Sequence, residues 1–202
     1  MSNIAPLNLT VSQLTDLLEE NPSLRGMCMG YAVEYHVREQ LLQEDVVNSV
    51  NKQRDHDRES KYDFLVDTIA GDIRIEVKML RPNDIVRMSK SYSSVTHPEG
   101  IEEVIDTFDI LKSTFDVLAV GNPATFEAYY ILSSDLPDST ARTVPEEYRH
   151  MFCKTAFPLA SVTAYRSLTE LLESGEDMQC MQHLPHGPLE SPVQTSIVQL
   201  LG

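Results

Sequence analysis

Residues 62–79 combine two strand-like segments with a short turn, a pattern typical of an antiparallel β-hairpin. Apolar and charged residues alternate along the second segment, in the order Ile73, Arg74, Ile75, Glu76, Val77 and Lys78. This period of two predicts a strand with one buried face. Gly71 lies between the two segments and can adopt the positive φ that a tight reversal of the chain requires. The sequence therefore predicts that the two segments pair in one sheet.

The hairpin carries two acids and a lysine that can support chemistry on phosphate. Asp63 lies on the first segment, and Glu76 and Lys78 share one face of the second. Mg²⁺ prefers hard oxygen ligands, usually one or two carboxylates together with substrate phosphate. A lysine beside two acids keeps its proton, so it can orient an attacking water and stabilise negative charge on phosphorus. The alternative interpretation is that Glu76 and Lys78 are ordinary solvated charges on the exposed side of a hairpin.

Three short motifs follow one another along the chain: Gly30-x-x-x-Glu34, Tyr62-Asp63 and Glu76-Val77-Lys78. With them, the segment 30–137 resembles the PD-(D/E)XK nuclease superfamily, whose restriction-endonuclease-like fold also includes archaeal Holliday-junction resolvases. The second and third motifs stand where that family has Pro-Asp and (D/E)-x-K. The first motif is similar to the family's first helix, whose Glu often joins the metal site. Segments 115–120 and 129–132 resemble the later core strands.

The resemblance implies a magnesium-dependent deoxyribonuclease in which Mn²⁺ can replace Mg²⁺. By the family pattern, Glu34, Asp63, Glu76 and the carbonyl of Val77 would hold the metal, and Lys78 would assist the nucleophilic water. In-line attack on the phosphodiester would leave a 5′-phosphate and a 3′-hydroxyl. Because the acid, acid and lysine positions are all filled, we expect a working enzyme that acts on DNA. Many relatives cut as dimers, so we also expect a homodimer.

Two positions need a choice or depart from the family pattern. Tyr62 replaces the Pro that gives the family its name, a change that alters no ligand. Either Glu34 or Glu39 can be the helix carboxylate, and the Gly-x-x-x-Glu spacing favours Glu34.

The expected fold class is α/β, with a restriction-endonuclease-like core in which helices flank a central mixed β-sheet in the order αβββαβ. At 202 residues, of which 42% are apolar, the chain can bury one ordinary core. We expect an N-terminal helical extension, a nuclease-like core, a C-terminal helical addition and a tail that is flexible or docks on another subunit. These regions are residues 1–24, 25–137, 138–175 and 176–202.

Periodicity predicts the helices that surround this sheet. Thr10 and Gln13 form a capping box for a first helix that ends before Pro22. A four-residue spacing predicts the buried side of a second helix, with Val33, Val37 and Leu41. Helical spacing after a loop at 84–100 predicts a third helix, with Ile101, Val104, Ile105, Phe108 and Leu111. The last predicted helix ends near Gly175 and contains Val162, Tyr165, Leu168 and Leu172.

The predicted strands outside the hairpin are 46–50, 115–121 and about 126–133, the last following a turn at Asn122-Pro123. Together with the helices they supply the element order that the family resemblance requires.

The formal charge of −15 opposes binding to a polyanion, because nucleic-acid-binding proteins usually display a basic surface. Most of the acidic excess lies outside residues 73–98, a stretch that includes the Glu-x-Lys strand and has more basic than acidic residues. Basic residues that we predict to contact nucleic acid cluster there: Arg74, Arg81, Arg87 and Lys90. Exposed charges more than about 8 Å apart are largely screened at physiological salt, so a local basic rim can still contact phosphate. The alternative is that these are solvated loop charges.

No segment approaches the eighteen apolar residues of a membrane span, and the N-terminus lacks the basic start and apolar run of a secretory signal. Cys28, Cys153 and Cys180 are scattered, which suits a reducing compartment, and we expect a cytoplasmic protein. His150-x-x-Cys153 and a second group, Cys180-x-x-His183-x-x-His186, contain zinc-type ligands. Without a repeated Cys-x-x-Cys, they are weak evidence for a zinc site.

Two other functions stay open on the sequence alone. The acidic balance favours a non-catalytic binding protein on a nuclease-like fold, one that imitates DNA or engages a basic partner. A structure-specific nickase or an RNase is also compatible, because a metal site does not encode the substrate. Sequence specificity and endo or exo action are not encoded in these motifs either.

Overall fold

The computed structural model describes residues 9–53, 62–88, 94–96, 98, 100–102 and 104–174. In this part of the chain, two helices are followed by a series of strands and then by one short helix. The α-helices are α1 (Val11–Glu20), α2 (Pro22–Leu41) and α3 (Leu168–Glu173). The strands are β1 (Val47–Lys52), β2 (Phe64–Thr68), β3 (Gly71–Met79), β4 (Ile85–Arg87), β5 (Ser94–Thr96), β6 (Ile105–Thr107), β7 (Ile110–Leu111), β8 (Val117–Gly121), β9 (Ala128–Leu132), β10 (Phe152–Cys153) and β11 (Ala156–Pro158). The predicted α/β class is confirmed.

The predicted hairpin lies at the centre of a five-stranded mixed sheet with the order β1-β2-β3-β8-β9. β2 and β3 pair antiparallel, from Phe64 opposite Ile75 to Thr68 opposite Gly71. Gly71 has a φ of +120°, a conformation that L side chains rarely adopt, which explains a glycine at this reversal. β3 pairs parallel with β8, whereas the other neighbours in this sheet are antiparallel. The mixed character of the sheet is therefore confirmed.

The first two helices also follow the sequence prediction. Thr10 and Gln13 form the capping box of α1, and α2 begins at Pro22, where a missing N–H costs no helical hydrogen bond. The buried residues of α2 are Val33, Val37 and Leu41, which pack on the sheet. A Cβ on Gly121 of β8 would overlap Val33 Cγ1, so the glycine allows α2 to approach the strand closely.

The helix predicted over the apolar residues of 101–111 is wrong. The described part of this segment contains β6 and β7 instead, and β6 has an alternating burial pattern in which Ile105 and Thr107 are buried. β7 pairs with β10, so a partner about forty residues away stabilises an extended conformation that local spacing cannot reveal. The predicted loop at 84–100 is also partly wrong, because it contains β4 and β5. The second helix of the αβββαβ order is thus absent from the described residues.

The helical addition that the sequence predicts for residues 138–175 is largely wrong. Its described residues form 3₁₀ turns, β10, β11 and the short helix α3. Ser167 caps α3 by accepting a hydrogen bond from the Glu170 N–H at 3.0 Å, so the helix begins after Val162 and Tyr165. β11 pairs with β4 and β10 with β7, which folds this region over the connection between β3 and β8.

Two apolar layers cover the sheet. One layer joins α2 and α3 to residues such as Ile75 and Val117. The other lies on the opposite face and joins Leu118 and Val120 to the C-terminal region through Phe157 and Cys153. None of the described helices combines the length and the apolar composition that crossing a bilayer requires. The tail 176–202, with Cys180, His183 and His186, lies outside the described residues, so the zinc and docking hypotheses stay predictions.

Candidate active site

Asp63 directly precedes β2 and reaches across to β3. Its N–H donates to the Ile75 carbonyl at 3.0 Å, and its Oδ2 accepts a hydrogen bond from the Val77 N–H at 2.7 Å. The hairpin thus carries the Asp63 carboxylate onto the Glu-x-Lys strand, in the arrangement that the turn at Gly71 predicts.

Glu76 and Lys78 form an ion pair on the face of β3 opposite to α2. Lys78 Nζ contacts Glu76 Oε1 and also donates to the Val77 carbonyl at 3.2 Å. On β8 their neighbours are Leu118 and Val120, both fully buried. The Glu76 side chain is only 12% exposed and that of Lys78 27%. The pair therefore lies against an apolar wall and is not the solvated surface pair of the alternative interpretation.

Glu34 brings a third carboxylate from α2. Its Oε2 accepts from Lys52 Nζ at 2.5 Å, and the same ammonium lies 5.0 Å from the centre of the Tyr31 ring. The charge of Glu34 acts on both Glu76 and Lys78. Glu39, the other candidate, lies 3.6 Å from Arg38 with its side chain 43% exposed. The structure thus brings Glu34 to the cluster, as the motif spacing favours.

Burial and neighbouring charges set the protonation of these groups. The pKa of Glu76 is raised to about 7: burial is the largest cause, Lys78 opposes it, and the charges of Asp63 and Glu34 act in the same direction as burial. Burial acts to lower the pKa of Lys78, but the charges of Glu76, Asp63 and Glu34 outweigh burial and raise it. Lys78 therefore keeps its proton. Lys52 and Lys78 each offset part of this negative charge, since Lys52 pairs with Glu34 and Lys78 pairs with Glu76.

The donor set has the chemistry of a Mg²⁺ site, because carboxylate and carbonyl oxygens are the ligands that this ion prefers. The acids are not gathered around one point, however. Among the described residues, no group of three or more Asp, Glu, His or Cys residues is arranged to hold a metal. Lys78 Nζ contacts Oε1 of Glu76, and the Val77 N–H donates to Oδ2 of Asp63, so each contact involves one oxygen of the carboxylate.

The residues predicted to contact nucleic acid lie in different environments. Arg74 makes a two-pronged ion pair with Asp116, at 2.7 and 3.0 Å, and donates to the Ser113 carbonyl at 3.1 Å. This pair ties β3 to the segment before β8, so a structural role competes with the predicted one. Arg81 and Arg87 are exposed and line an open cleft. Lys90 lies outside the described residues. The predicted contacts of all four residues stay predictions.

Sequence reasoning missed two contributors to this region. Lys52 is the partner of Glu34, although its position beside other polar residues suggests only a surface charge. The spacing of apolar residues in 101–111 predicts that Phe108 lies on the apolar face of a helix. In the structure it is 52% exposed and lines the same cleft as Arg81 and Arg87. For Lys52 the useful signal is its position at the end of β1, next to the hairpin. For Phe108 the sequence carries no such signal, because its spacing fits a helix.

Comparison of the chain with protein-family models, curated proteins and solved structures found no match. The resemblance to PD-(D/E)XK nucleases rests on the sequence motifs alone and stays a prediction.

Proposed function

We propose that this protein is a metal-dependent nuclease of the PD-(D/E)XK type that hydrolyses phosphodiester bonds of DNA. The observation that carries the proposal is the cluster of Glu34, Asp63, Glu76 and Lys78 at one end of the hairpin. A mostly buried Glu whose pKa is about 7 beside a charged Lys is unusual for a purely structural pair, and perturbed pKa values concentrate at functional sites.

The residues divide into metal ligands and a proton-bearing cation. Glu34, Asp63, Glu76 and the Val77 carbonyl would hold Mg²⁺, or Mn²⁺ in its place, which would lower the pKa of a bound water and offset charge on phosphate. Lys78 keeps its proton, so it donates hydrogen bonds to the attacking water and to the phosphate oxygens and does not act as a base. Water would add to phosphorus as the bond to the 3′ oxygen breaks. The attacking water would lose one proton to solvent and the 3′ oxygen would gain one from solvent, which leaves a 5′-phosphate and a 3′-hydroxyl.

The proposed reaction acts on one strand at a time, because the described part of the chain contains one such cluster. A homodimer with two clusters would cut both strands of a duplex, and we include it in the proposal. A cytoplasmic enzyme with access to chromosomal DNA fits the same proposal.

A second candidate is a non-catalytic acidic protein on a nuclease-like fold. The formal charge of −15 favours it, as does the arrangement in which Lys78 itself satisfies Glu76. In that case the ion pair would be a permanent part of the core and the surface would engage a basic partner or imitate DNA.

A digest over a substrate panel separates these functions. Wild type is incubated with duplex, single-stranded and branched DNA and with RNA, each with Mg²⁺, Mn²⁺ or EDTA. We expect metal-dependent cleavage of DNA that is lost in Asp63→Asn. Asp67→Asn is the matched control, because it makes the same change at the far end of β2, and it should cut like wild type. Preferred cleavage of RNA would move the enzyme to the RNase alternative.

Titration of the protein with Mn²⁺ by calorimetry gives an independent test of the site. We expect one site per chain that weakens strongly in Asp63→Asn but not in Asp67→Asn. A correctly folded wild type that binds no metal and cuts no substrate would support the non-catalytic protein.

A further inference from the structure

Two adjoining cavities flank Phe108 on the side of the molecule that follows β3. One has a volume of about 680 Å³ and the other of about 220 Å³, and both are lined by Phe108 and Thr155. We name this surface the Phe108 groove: the two cavities joined at Phe108 and Thr155, with Arg81 and Arg87 in the larger and Lys154 in the smaller. The groove is open to solvent along its length.

The groove is positively charged, although the chain is strongly acidic. Arg81, Arg87 and Lys154 are all exposed. The acid among its described lining residues, Asp109, is 3% exposed and accepts a hydrogen bond from Ser139 Oγ, so it faces the interior. Three cations with threonine hydroxyls between them form a local anion-binding surface, and distant acidic charges are screened from it.

Phe108 gives the groove an aromatic platform. It lies in the reversal between β6 and β7, and half of its surface is exposed, whereas its neighbours Thr107 and Asp109 are buried. A large apolar ring held among arginine and lysine side chains is an arrangement on which unpaired bases stack while those side chains contact the phosphates. Bases inside a duplex do not offer a free face to such a ring.

The groove begins close to the candidate active site. Arg81 follows Lys78 by three residues, so their Cα atoms are at most about 11 Å apart. Arg81 forms a β-bridge with Ile85, which holds the start of the groove against the end of the strand that carries Glu76 and Lys78. A strand that places a phosphate at Lys78 can therefore continue over Arg81 towards Phe108.

We propose that the Phe108 groove binds single-stranded DNA, stacking a base on Phe108 and contacting phosphates through Arg81, Arg87 and Lys154. The groove leads that strand to the candidate active site, and this second part rests on the proposed function. The preferred substrate is then a single strand or an unpaired end next to a duplex.

Fluorescence anisotropy with a labelled fifteen-residue oligo(dT) tests the binding step without cleavage, because EDTA is present throughout. Removal of a stacking ring weakens binding by roughly fivefold to 150-fold, so we expect Phe108→Ala to lose about tenfold or more. The double variant Arg81→Ala/Arg87→Ala should lose at least as much and show a shallower salt dependence. Tyr35→Ala and Arg25→Ala are matched controls at exposed positions outside the groove and should stay within about twofold of wild type.

Phe108→Leu keeps the apolar bulk but lacks the aromatic face, so it should bind almost as weakly as Phe108→Ala with an unchanged melting temperature. Wild type that binds oligo(dT) no more tightly than a duplex of equal length, or oligo(U) more tightly than oligo(dT), overturns the proposal. Equal binding by wild type and Phe108→Ala overturns it as well. Tight, Phe108-dependent binding together with no cleavage in Mg²⁺ would uphold the groove and reject the nuclease.

Discussion

Two ion pairs involve neighbouring side chains on one face of β3: Arg74 pairs with Asp116, and Glu76 pairs with Lys78. They differ in how completely their charges are satisfied. Arg74 and Asp116 share two side-chain hydrogen bonds, and Asp116 also accepts from the Arg74 N–H at 2.8 Å. Glu76 and Lys78 pair with each other but also experience the charges of Asp63 and Glu34. Arg74 and Asp116 thus satisfy each other, whereas Glu76 and Lys78 belong to a larger group of interacting charges.

This difference separates structure from function on one strand. In the Arg74–Asp116 pair, the pKa of Arg74 is raised by its hydrogen bond to Asp116, which simply secures its charge. In the group of charges around Glu76, burial is the main cause of a carboxyl pKa of about 7. Burial of this carboxylate lowers the stability of the folded protein above neutral pH, but the surrounding charges favour a bound cation. Chemistry is therefore expected at Glu76 and Lys78, and anchoring of the sheet at Arg74 and Asp116.

The largest expected effect is on catalysis. Lys78→Met should lower kcat for DNA cleavage by roughly 10²- to 10³-fold, because it removes a donor to the charge that develops on phosphorus. Arg74→Met makes a similar change four residues earlier on the same face of β3 and should leave kcat much closer to wild type under conditions where it is folded. Single-turnover cleavage in Mg²⁺ measures both. Equal losses in the two variants would remove the distinction between the pairs.

The second-largest effect is on stability, to which we expect the Arg74–Asp116 pair to contribute more than the Glu76–Lys78 pair. Asp116→Asn should lower the free energy of unfolding by about 2–3 kcal/mol, because it breaks charge-assisted hydrogen bonds to a partly buried guanidinium. Glu76→Gln at pH 6 should change it by no more than about 1 kcal/mol, because Glu76 is already largely protonated there. Urea denaturation at pH 6 provides the comparison. Greater destabilisation by Glu76→Gln would mean that the Glu76 pair is the structural one.

The pH dependence of metal binding should be about tenfold. The pKa of Glu76 in the folded protein is about 7, so the fraction ionised rises from about one tenth at pH 6 to about nine tenths at pH 8. Mn²⁺ affinity should therefore increase about tenfold over this interval, and Glu76→Gln should remove most of the increase. Calorimetric titrations at the two pH values measure it.

The same raised pKa affects the metal-free protein in the opposite direction. Because the folded-state pKa lies above the unfolded value of 4.5, the folded state binds more protons between these values. The stability contributed by Glu76 is fully present below about pH 4.5 and is lost as the pH rises through about 7.

The metal-binding prediction has its own contrary outcome. A Mn²⁺ affinity that is the same at pH 6 and pH 8 would show that Glu76 is not a ligand.

The smallest effect distinguishes the two helix carboxylates. Glu34 has the weakest influence on the pKa of Glu76, so Glu34→Gln should weaken Mn²⁺ binding only a few-fold. Glu39→Gln, five residues along α2 and more exposed, should leave the affinity unchanged. The same titrations at pH 8 compare them. A larger loss in Glu39→Gln would reassign the helix ligand.

Much of the sheet and part of the site were predictable because they depend on local patterns. The alternation at 73–78 and the glycine at position 71 predict the hairpin, and the hairpin in turn places Asp63 beside β3. The helical stripe of α2 places Glu34 near the sheet. What could not be predicted is the pairing of charges: Arg74 meets Asp116 across 42 residues, and Lys52 meets Glu34 across 18.

Local periodicity was sufficient for β2, β3 and α2, since backbone sterics and one-sided burial act over a few residues. It failed for 101–111, where apolar spacing fits a helix but pairing of β7 with β10 produces strands. That pairing also turns Phe108 to the surface and creates the groove beside Arg81. Contacts between distant segments determine which side chains are buried and which charges meet. Burial, in turn, is the main cause of the raised pKa of Glu76, and the charges of Asp63 and Glu34 act in the same direction.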